Sequence, residues 1–137
     1  MYKGCPVLHK SQLQTEIALS STESGYTGIS YALREAIPIM RILNEFKDHG
    51  FITQAPKAKM HCKVYDDNSG ALEMAREYNY RPRTKFLNIK LHHFRDYVER
   101  GEISIQKVST HDQHADYLDK PLNEATHIKH RKVVQGL

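Results

Sequence analysis

The chain has 137 residues, 39% of them hydrophobic, and carries a formal net charge of +4 with a sequence pI near 9.0. This length allows one small domain with a modest core, and no apolar run approaches the ~18 residues that a membrane-spanning helix needs. The first residues lack the apolar centre of a signal peptide, and Cys5 and Cys62 provide no disulfide framework. We therefore expect a reducing, intracellular location. The mildly basic charge permits a polyanionic partner without requiring one.

The amino-terminal part predicts a short strand followed by a long helix. Alternating apolar residues indicate a strand at Cys5–Ser11 with an extended continuation at Thr15–Ser20. Ser20 and Glu23 form a capping box that predicts a helix start. Apolar residues then recur every three or four positions, at Tyr26, Ile29, Leu33, Ala36, Met40 and Leu43. This spacing predicts an amphipathic helix that ends near Asp48, before Gly50.

The stretch from Val64 to Ala75 (VYDDNSGALEMA) organises the rest of the chain. It predicts a strand over Met60–Asp66 and a short helix over about Ser69–Tyr78. Asp67 then lies at the carboxyl end of the strand, and Asn68 and Ser69 are suited to cap the helix. In sheets flanked by helices, functional residues gather at such strand ends. A single Asp at this position is nevertheless more often a cap or turn residue than a metal ligand.

The remaining sequence alternates linkers with further elements. We predict a linker at Phe51–Lys59 and a basic loop at Asn79–Thr84. A helix at Thr84–Arg100 and a strand at Ile103–Ser109 follow. A second capping box, Thr110 with Gln113, predicts a helix that carries Asp116 and is broken by Pro121. Ala125, Ile128 and Val133 indicate a final helix. The order of elements predicts an α/β chain with a small mixed sheet.

Four motifs occur in order along this chain. They are S-S-T-E before the long helix, D-N-x-G-A at the strand corner, R-T-K at the entry to the third helix, and D-Q-x-A-D followed by K-P-L. In this combination the chain resembles the ribonuclease H domain that ends the polyprotein of copia-type retrotransposons, from about Gly4 onward. The resemblance implies a ribonuclease H-like mixed sheet flanked by helices that lacks its first strand or strands. Residues 1–137 would then form one partial domain.

In that family, four carboxylates hold two Mg²⁺ ions and the RNA strand of an RNA–DNA hybrid is hydrolysed. The resemblance assigns the third carboxylate to Asp67 and the fourth to Asp116, as catalytic and metal-binding residues, with Asp66 as a neighbour. The family reads S-T-E-x-E-Y, and its second glutamate is a ligand. This chain has Gly25 at that position, and Glu23 lies about 200° around the helix from it. The first carboxylate of the family lies upstream of this chain.

These departures predict a chain with little or no activity alone, in which Mg²⁺ binding is weak or lost. The alternative is a non-catalytic nucleic-acid-binding or inert remnant of the same enzyme. The partners implied by the resemblance are an RNA–DNA hybrid or another nucleic acid and the upstream reverse transcriptase region, with no membrane. The implied location is a cytoplasmic particle or the nucleus.

Two further residue groups invite a functional interpretation. Arg81, Arg83 and Lys85 follow the short helix, and such side chains grip a hybrid through its phosphates. The alternative is that they are ordinary solvated charges around a proline turn. His92, His93, His111 and His114 invite a zinc interpretation, but no C-x-x-C or H-x-x-x-H spacing supports it. His111 or His114 could instead donate a proton to the leaving group, although the family pattern places no His there, and we expect both to be exposed surface residues.

Overall fold

The computed structural model describes residues 1–2, 4–15, 17–18, 20–51, 60–76 and 93–136. The chain divides into two compact units. We call Ala18–Lys107 the sheet unit, and Met1–Ile17 together with Val108–Leu137 the terminal unit. The fold is α/β, with a small parallel sheet flanked by helices. No described helix is long and apolar enough to cross a membrane.

The sheet unit begins with the predicted long helix, α1, which spans Ser21–Asp48. Ser20 is its N-cap, and the Ser20 hydroxyl accepts a hydrogen bond from the Glu23 backbone N–H at 3.2 Å. This bond satisfies one of the free N–H groups of the first turn. At the other end Gly50 adopts a positive φ of 80°, which a glycine accepts without strain. Both predicted ends of the helix are confirmed.

Two parallel strands form the sheet, β1 at Cys62–Asp66 and β2 at Ile103–Lys107. Their register aligns Cys62 with Ile103 and Asp66 with Lys107. Each strand is slightly shorter than the sequence predicted, because hydrogen-bonded pairing occurs only over this overlap. The parallel connection between them contains α2 at Ser69–Arg76 and α3 at Arg95–Glu99.

The hydrophobic core of the sheet unit lies between α1, α2, α3 and the sheet. Its α1 face comprises Tyr26, Ile29, Leu33 and Ile37, spaced at three and four residues as predicted. The other members are Ala71, Leu72, Met74, Ala75, Phe94, Ile103 and Ile105. The ring of Phe94 packs at 5.7 Å from the ring of Tyr26, and both residues have no exposed surface. The core thus packs α1 against the sheet, and the predicted site residue Asp67 follows the carboxyl end of β1.

The terminal unit contains a 3-10 helix at Thr110–Asp112 and two α-helices, α4 at Asp116–Asp119 and α5 at Glu124–Gln135. The second predicted capping box is wrong. Thr110 is the first residue of the 3-10 helix, and the Ser109 hydroxyl donates to the Asp112 carboxylate at 2.9 Å instead. The α5 helix is confirmed, with Asn123 as a cap that accepts from Thr126 N–H at 2.9 Å.

The strand predicted before α1, with its extended continuation, is wrong where the structure describes it. Residues 6–15 contain neither helix nor strand, and the described pairing in this region is an isolated bridge between Tyr2 and Cys5. Alternating apolar residues form a strand only when a neighbouring strand supplies hydrogen-bond partners, and the described sheet consists of β1 and β2 without this segment.

Several predictions lie outside the described residues. They concern most of the linker Phe51–Lys59, the loop Asn79–Thr84, the end of the second predicted helix and residues 84–92 of the third. Arg81, Arg83, Lys85 and His92 belong to these segments. The described end of the third predicted helix is α3, after which Gly101 has a positive φ of 74°, as expected for a helix stop.

Candidate functional site

The corner after β1 is held by side chain to backbone hydrogen bonds. The Asp66 carboxylate accepts from the Asn68 N–H at 2.7 Å, which closes a tight turn around Asp67. The Asn68 side-chain oxygen accepts from the Ala71 N–H at 3.1 Å and so caps α2, as the sequence predicted. The Asn68 side-chain NH₂ donates to the Ser21 carbonyl at 3.0 Å. One amide therefore ties the first turns of α1 and α2 to the strand end.

The two adjacent aspartates differ in what their carboxylates contact. Asp66 is committed to the turn, which agrees with its interpretation as a structural neighbour. Asp67 is half-buried at the carboxyl end of β1, and within the described part of the chain no residue forms a hydrogen bond or ion pair with its side chain.

Gly25 lies against this same corner. An ideal Cβ placed on Gly25 would be 3.0 Å from the Ala71 Cβ and 3.4 Å from the Asn68 Cβ. Position 25, which the family resemblance assigned to a carboxylate, is thus in contact with the residue that follows Asp67. The structure therefore places position 25 beside the neighbour of Asp67, but position 25 is a glycine and carries no carboxylate. The α2 helix packs into the space that a side chain would take.

Asp116, the other predicted ligand, lies in the terminal unit as the first residue of α4. Only 8% of it is exposed. Its Oδ1 atom forms an ion pair with the Lys120 ammonium at 3.0 Å, one helical turn along. The negative charge of Asp116 is therefore compensated by Lys120, the residue that caps the end of α4.

A histidine pair beside α4 was not predicted. The Nδ1 atoms of His114 and His130 lie 2.9 Å apart, and His130 is buried with 1% exposure. The His130 Nε2 atom is buried, and no residue that the structure describes forms a hydrogen bond with it. Burying an unprotonated ring nitrogen without a partner costs less free energy than burying an N–H group without an acceptor. We therefore assign the proton between the two rings to His130 Nδ1, which donates to His114 Nδ1.

The environment of His114 disfavours its charged form. Burial, followed by the nearby His130 and Lys129, lowers the pKa of His114, while Asp112 opposes this shift. The expectation of an exposed His114 is wrong, because His130 covers it; His111 is exposed as expected. No spacing signal marked His130, since a polar residue does not contribute to a hydropathy pattern.

The donor groups can be compared with the needs of a two-metal site. Such a site requires several carboxylates around a pair of ions. Among the described residues, no group of three or more His, Cys, Asp or Glu side chains converges closely enough to hold a metal ion. In the sheet unit Asp66 is used by the turn and position 25 is a glycine, which leaves Asp67. The described carboxylates therefore do not fit a two-metal site.

Comparison with known proteins points to transposons. The chain is 29% identical over 119 residues to the retrovirus-related Pol polyprotein from transposon TNT 1-94 of Nicotiana tabacum. It is 32% and 31% identical over 118 residues to those from transposons RE1 and RE2 of Arabidopsis thaliana. The matches cover 86–87% of this chain and about 8% of each relative.

No protein-family model matches the chain, and no solved structure matches it. The resemblance read from the motifs is confirmed at the level of the transposon polyprotein, while the ribonuclease H assignment stays a prediction. The chain is similar to one short stretch of the retrovirus-related Pol polyproteins of plant transposons.

Proposed function

We propose that this chain is a ribonuclease H-type region of a transposon Pol polyprotein in which the catalytic carboxylate set is incomplete. Its similarity to plant Pol polyproteins supports the polyprotein context. The proposal of an incomplete carboxylate set is supported by one geometric observation. A Cβ at position 25 would be in van der Waals contact with Asn68, the residue directly after Asp67. A carboxylate at position 25 and the carboxylate of Asp67 would start from adjoining backbone positions, as a shared metal site needs.

The chemistry of the proposed enzyme explains why one glycine matters. Bound Mg²⁺ ions supply an activated water and stabilise the leaving oxygen in this class of phosphodiester hydrolysis. The protein must hold these ions with clustered carboxylates, whose mutual repulsion the ions relieve. Here Asp67 has free oxygens among the described residues, Gly25 contributes no ligand, and Asp116 is paired with Lys120. We accordingly propose that Mg²⁺ binding is weak and hydrolysis is lost.

The proposed substrate is an RNA–DNA hybrid, which the chain would bind mainly through phosphates. The net charge of +4 is compatible with this partner. Arg81, Arg83 and Lys85 remain proposed phosphate contacts. Proposed partners within the polyprotein are the preceding regions, because the chain corresponds to about 8% of each relative.

The experiment is a cleavage assay on a labelled RNA–DNA hybrid in the presence of Mg²⁺. The chain and its Gly25→Glu variant are each tested alone and fused behind the region that precedes the matched stretch in the RE1 polyprotein. We expect no cleavage from either chain alone or from the wild-type fusion, and cleavage from the Gly25→Glu fusion. Asp67→Asn added to that fusion is the matched control and should abolish cleavage.

Two results would count against the proposal. Cleavage by the wild-type fusion at the rate of the Gly25→Glu fusion would show that Gly25 is not the defect. A folded Gly25→Glu fusion that binds the hybrid without cleaving it would favour the alternative, a non-catalytic nucleic-acid-binding remnant. Binding is measured separately by fluorescence anisotropy, so that loss of binding and loss of hydrolysis are distinguished.

A further inference from the structure

Two neighbouring residues of α5 hold this helix within the terminal unit. His130 is hydrogen-bonded to His114 as described above, and the Lys129 ammonium forms an ion pair with the Asp112 carboxylate at 2.6 Å. Lys129 also donates to the His111 carbonyl at 3.3 Å. Both side chains therefore connect α5 to the segment between β2 and α4.

The histidine pair has room for one proton between its rings. The two Nδ1 atoms are 2.9 Å apart, which is a normal hydrogen-bond length, so one nitrogen donates and the other must be unprotonated to accept. With the proton on His130 Nδ1, the acceptor is His114 Nδ1. The closed pair therefore requires a neutral His114, because a charged imidazole carries a proton on both nitrogens.

A second proton finds no favourable position in the closed pair. On His114 Nδ1 it would place two N–H groups against each other at 2.9 Å. On His130 Nε2 it would create a buried, charged N–H group to which no described residue offers an acceptor. Burying a charged donor without an acceptor costs more free energy than burying a neutral ring nitrogen. Proton uptake by either ring therefore favours separation of the two rings.

The charged neighbours of the pair do not change this balance between pH 5.5 and 7.5. Burial lowers the pKa of His114, and the nearby His130 and Lys129 lower it further. Asp112 acts in the opposite direction. Hydrogen bonds from Lys129 and Ser109 lower the pKa of Asp112, so its carboxylate stays ionised over this pH range and keeps its ion pair.

The α4 helix contacts α5 through a different pair of rings. The Tyr117 ring lies 4.9 Å from the ring of His127, which is exposed and can therefore take up a proton without losing contact with water. The buried acid of α4, Asp116, is paired with Lys120. The change of charge that opposes docking of α5 thus lies in the pair of His114 and His130.

We propose that His114 and His130 form an acid-sensitive latch, which holds α5 in place while both rings are neutral and releases it when they take up two protons. The released rings are hydrated, and each then binds a proton with the ordinary pKa of a histidine, about 6.5. Because the closed pair excludes both protons, opening should become about 100-fold more favourable when the pH falls from 7.5 to 5.5. This inference does not depend on the proposed function.

The first measurement needs no variant. Long-range proton–nitrogen NMR spectra of the ¹⁵N-labelled, full-length chain identify which ring nitrogen of each histidine carries a proton. At pH 7.5 we expect His130 to be protonated at Nδ1 but not at Nε2, with His114 Nδ1 unprotonated. On acidification the pair should keep this arrangement for as long as the backbone amide signals of α5 stay in place, whereas the exposed His111 should take up its proton independently.

The second measurement is the protection of the α5 amides against hydrogen exchange, corrected for the intrinsic exchange rate at each pH. Between pH 7.5 and 5.5 this protection should fall about 100-fold in the wild-type chain, and about 10-fold in His114→Gln, which leaves one titrating ring. His111→Gln is the matched control, because it removes an exposed histidine three residues away and should retain the wild-type dependence. At pH 5.5 the α5 amides should be less protected than those of α1.

The latch is ruled out if His114 and His130 both take up protons near pH 6.5 while the α5 amide signals remain unchanged. It is also ruled out if protection of α5 falls as steeply in His114→Gln as in the wild type. Equal protection of α5 and α1 at every pH would exclude it as well, because α5 would then open only when the whole chain unfolds. If His114→Gln fails to fold by circular dichroism, the wild-type ring spectra and protection factors decide.

Discussion

Replacing Gly25 by alanine tests how closely α2 packs on α1 beside Asp67. The helix offers its own control, because Gly28 lies in α1 three residues further on. An added Cβ at Gly25 meets the Ala71 Cβ at 3.0 Å, whereas an added Cβ at Gly28 meets nothing within 4 Å. The two substitutions are chemically identical and differ only in what the new methyl group touches.

The expected magnitudes follow from two opposing effects. Replacing a glycine inside a helix by alanine stabilises the folded state by about 0.5–1 kcal/mol. Forcing a methyl group into a packed contact costs about 1–3 kcal/mol. Gly28→Ala should therefore stabilise the folded state by about 0.5–1 kcal/mol, while Gly25→Ala should range from neutral to about 2.5 kcal/mol destabilising. At about 3–4 °C per kcal/mol for a chain of this size, the two variants should differ by several degrees in Tm.

The assay is thermal and urea unfolding followed by circular dichroism at 222 nm. Ala71→Gly serves as the second position of a double-mutant cycle, because it removes the methyl group that Gly25→Ala strikes. We expect the Gly25→Ala penalty to shrink by about 1 kcal/mol or more in the Ala71→Gly background. The Gly28→Ala gain should be the same in both backgrounds.

Stabilisation by Gly25→Ala equal to that of Gly28→Ala would refute the reasoning, since it would mean that α2 does not press on α1 at this point. An additive cycle between positions 25 and 71 would refute it as well. A confirmed cycle would show that restoring glutamate at position 25 also requires α2 to shift by a few tenths of an ångström.

Three other predictions concern single side chains. Asp66→Ala should destabilise the folded chain by about 1–2 kcal/mol, because it removes the hydrogen bond to the Asn68 N–H that closes the turn. Asp67→Asn should change the free energy of unfolding by less than about 0.5 kcal/mol. Equal urea midpoints for the two variants would contradict this prediction. The lowered pKa of His114 means that the unfolded chain binds a proton more readily, so stability should fall as the pH drops below about 6.5. His114→Gln should flatten that decline between pH 7.5 and 5.5, and parallel declines would rule out His114 as the cause. Asn123→Ala should cost about 1 kcal/mol through loss of the α5 cap, seen as a lower Tm, and an unchanged Tm would show that the cap contributes nothing.

The sequence by itself determined the features that depend on neighbours within one or two turns. The spacing of Tyr26, Ile29 and Leu33 indicated both α1 and its buried face, because a helix brings such residues onto one stripe. Ser20 and Asn68 were recognised as caps for the same local reason, since a cap bonds only to N–H groups a few residues ahead. The motifs also indicated the transposon polyprotein, because order and spacing along the chain are sequence properties.

Only the tertiary structure decided which distant groups meet. Residues 6–15, which the structure describes, form no strand although the sequence predicted one, since a strand exists only where another edge accepts its hydrogen bonds. The burial of His130 against His114 arises from the packing of α5, which no local pattern encodes. Contact between Gly25 and Ala71 likewise depends on how two helices cross. The two helices pack closely here because position 25 is a glycine and position 71 an alanine. The α2 helix therefore occupies the space that a side chain at position 25 would take.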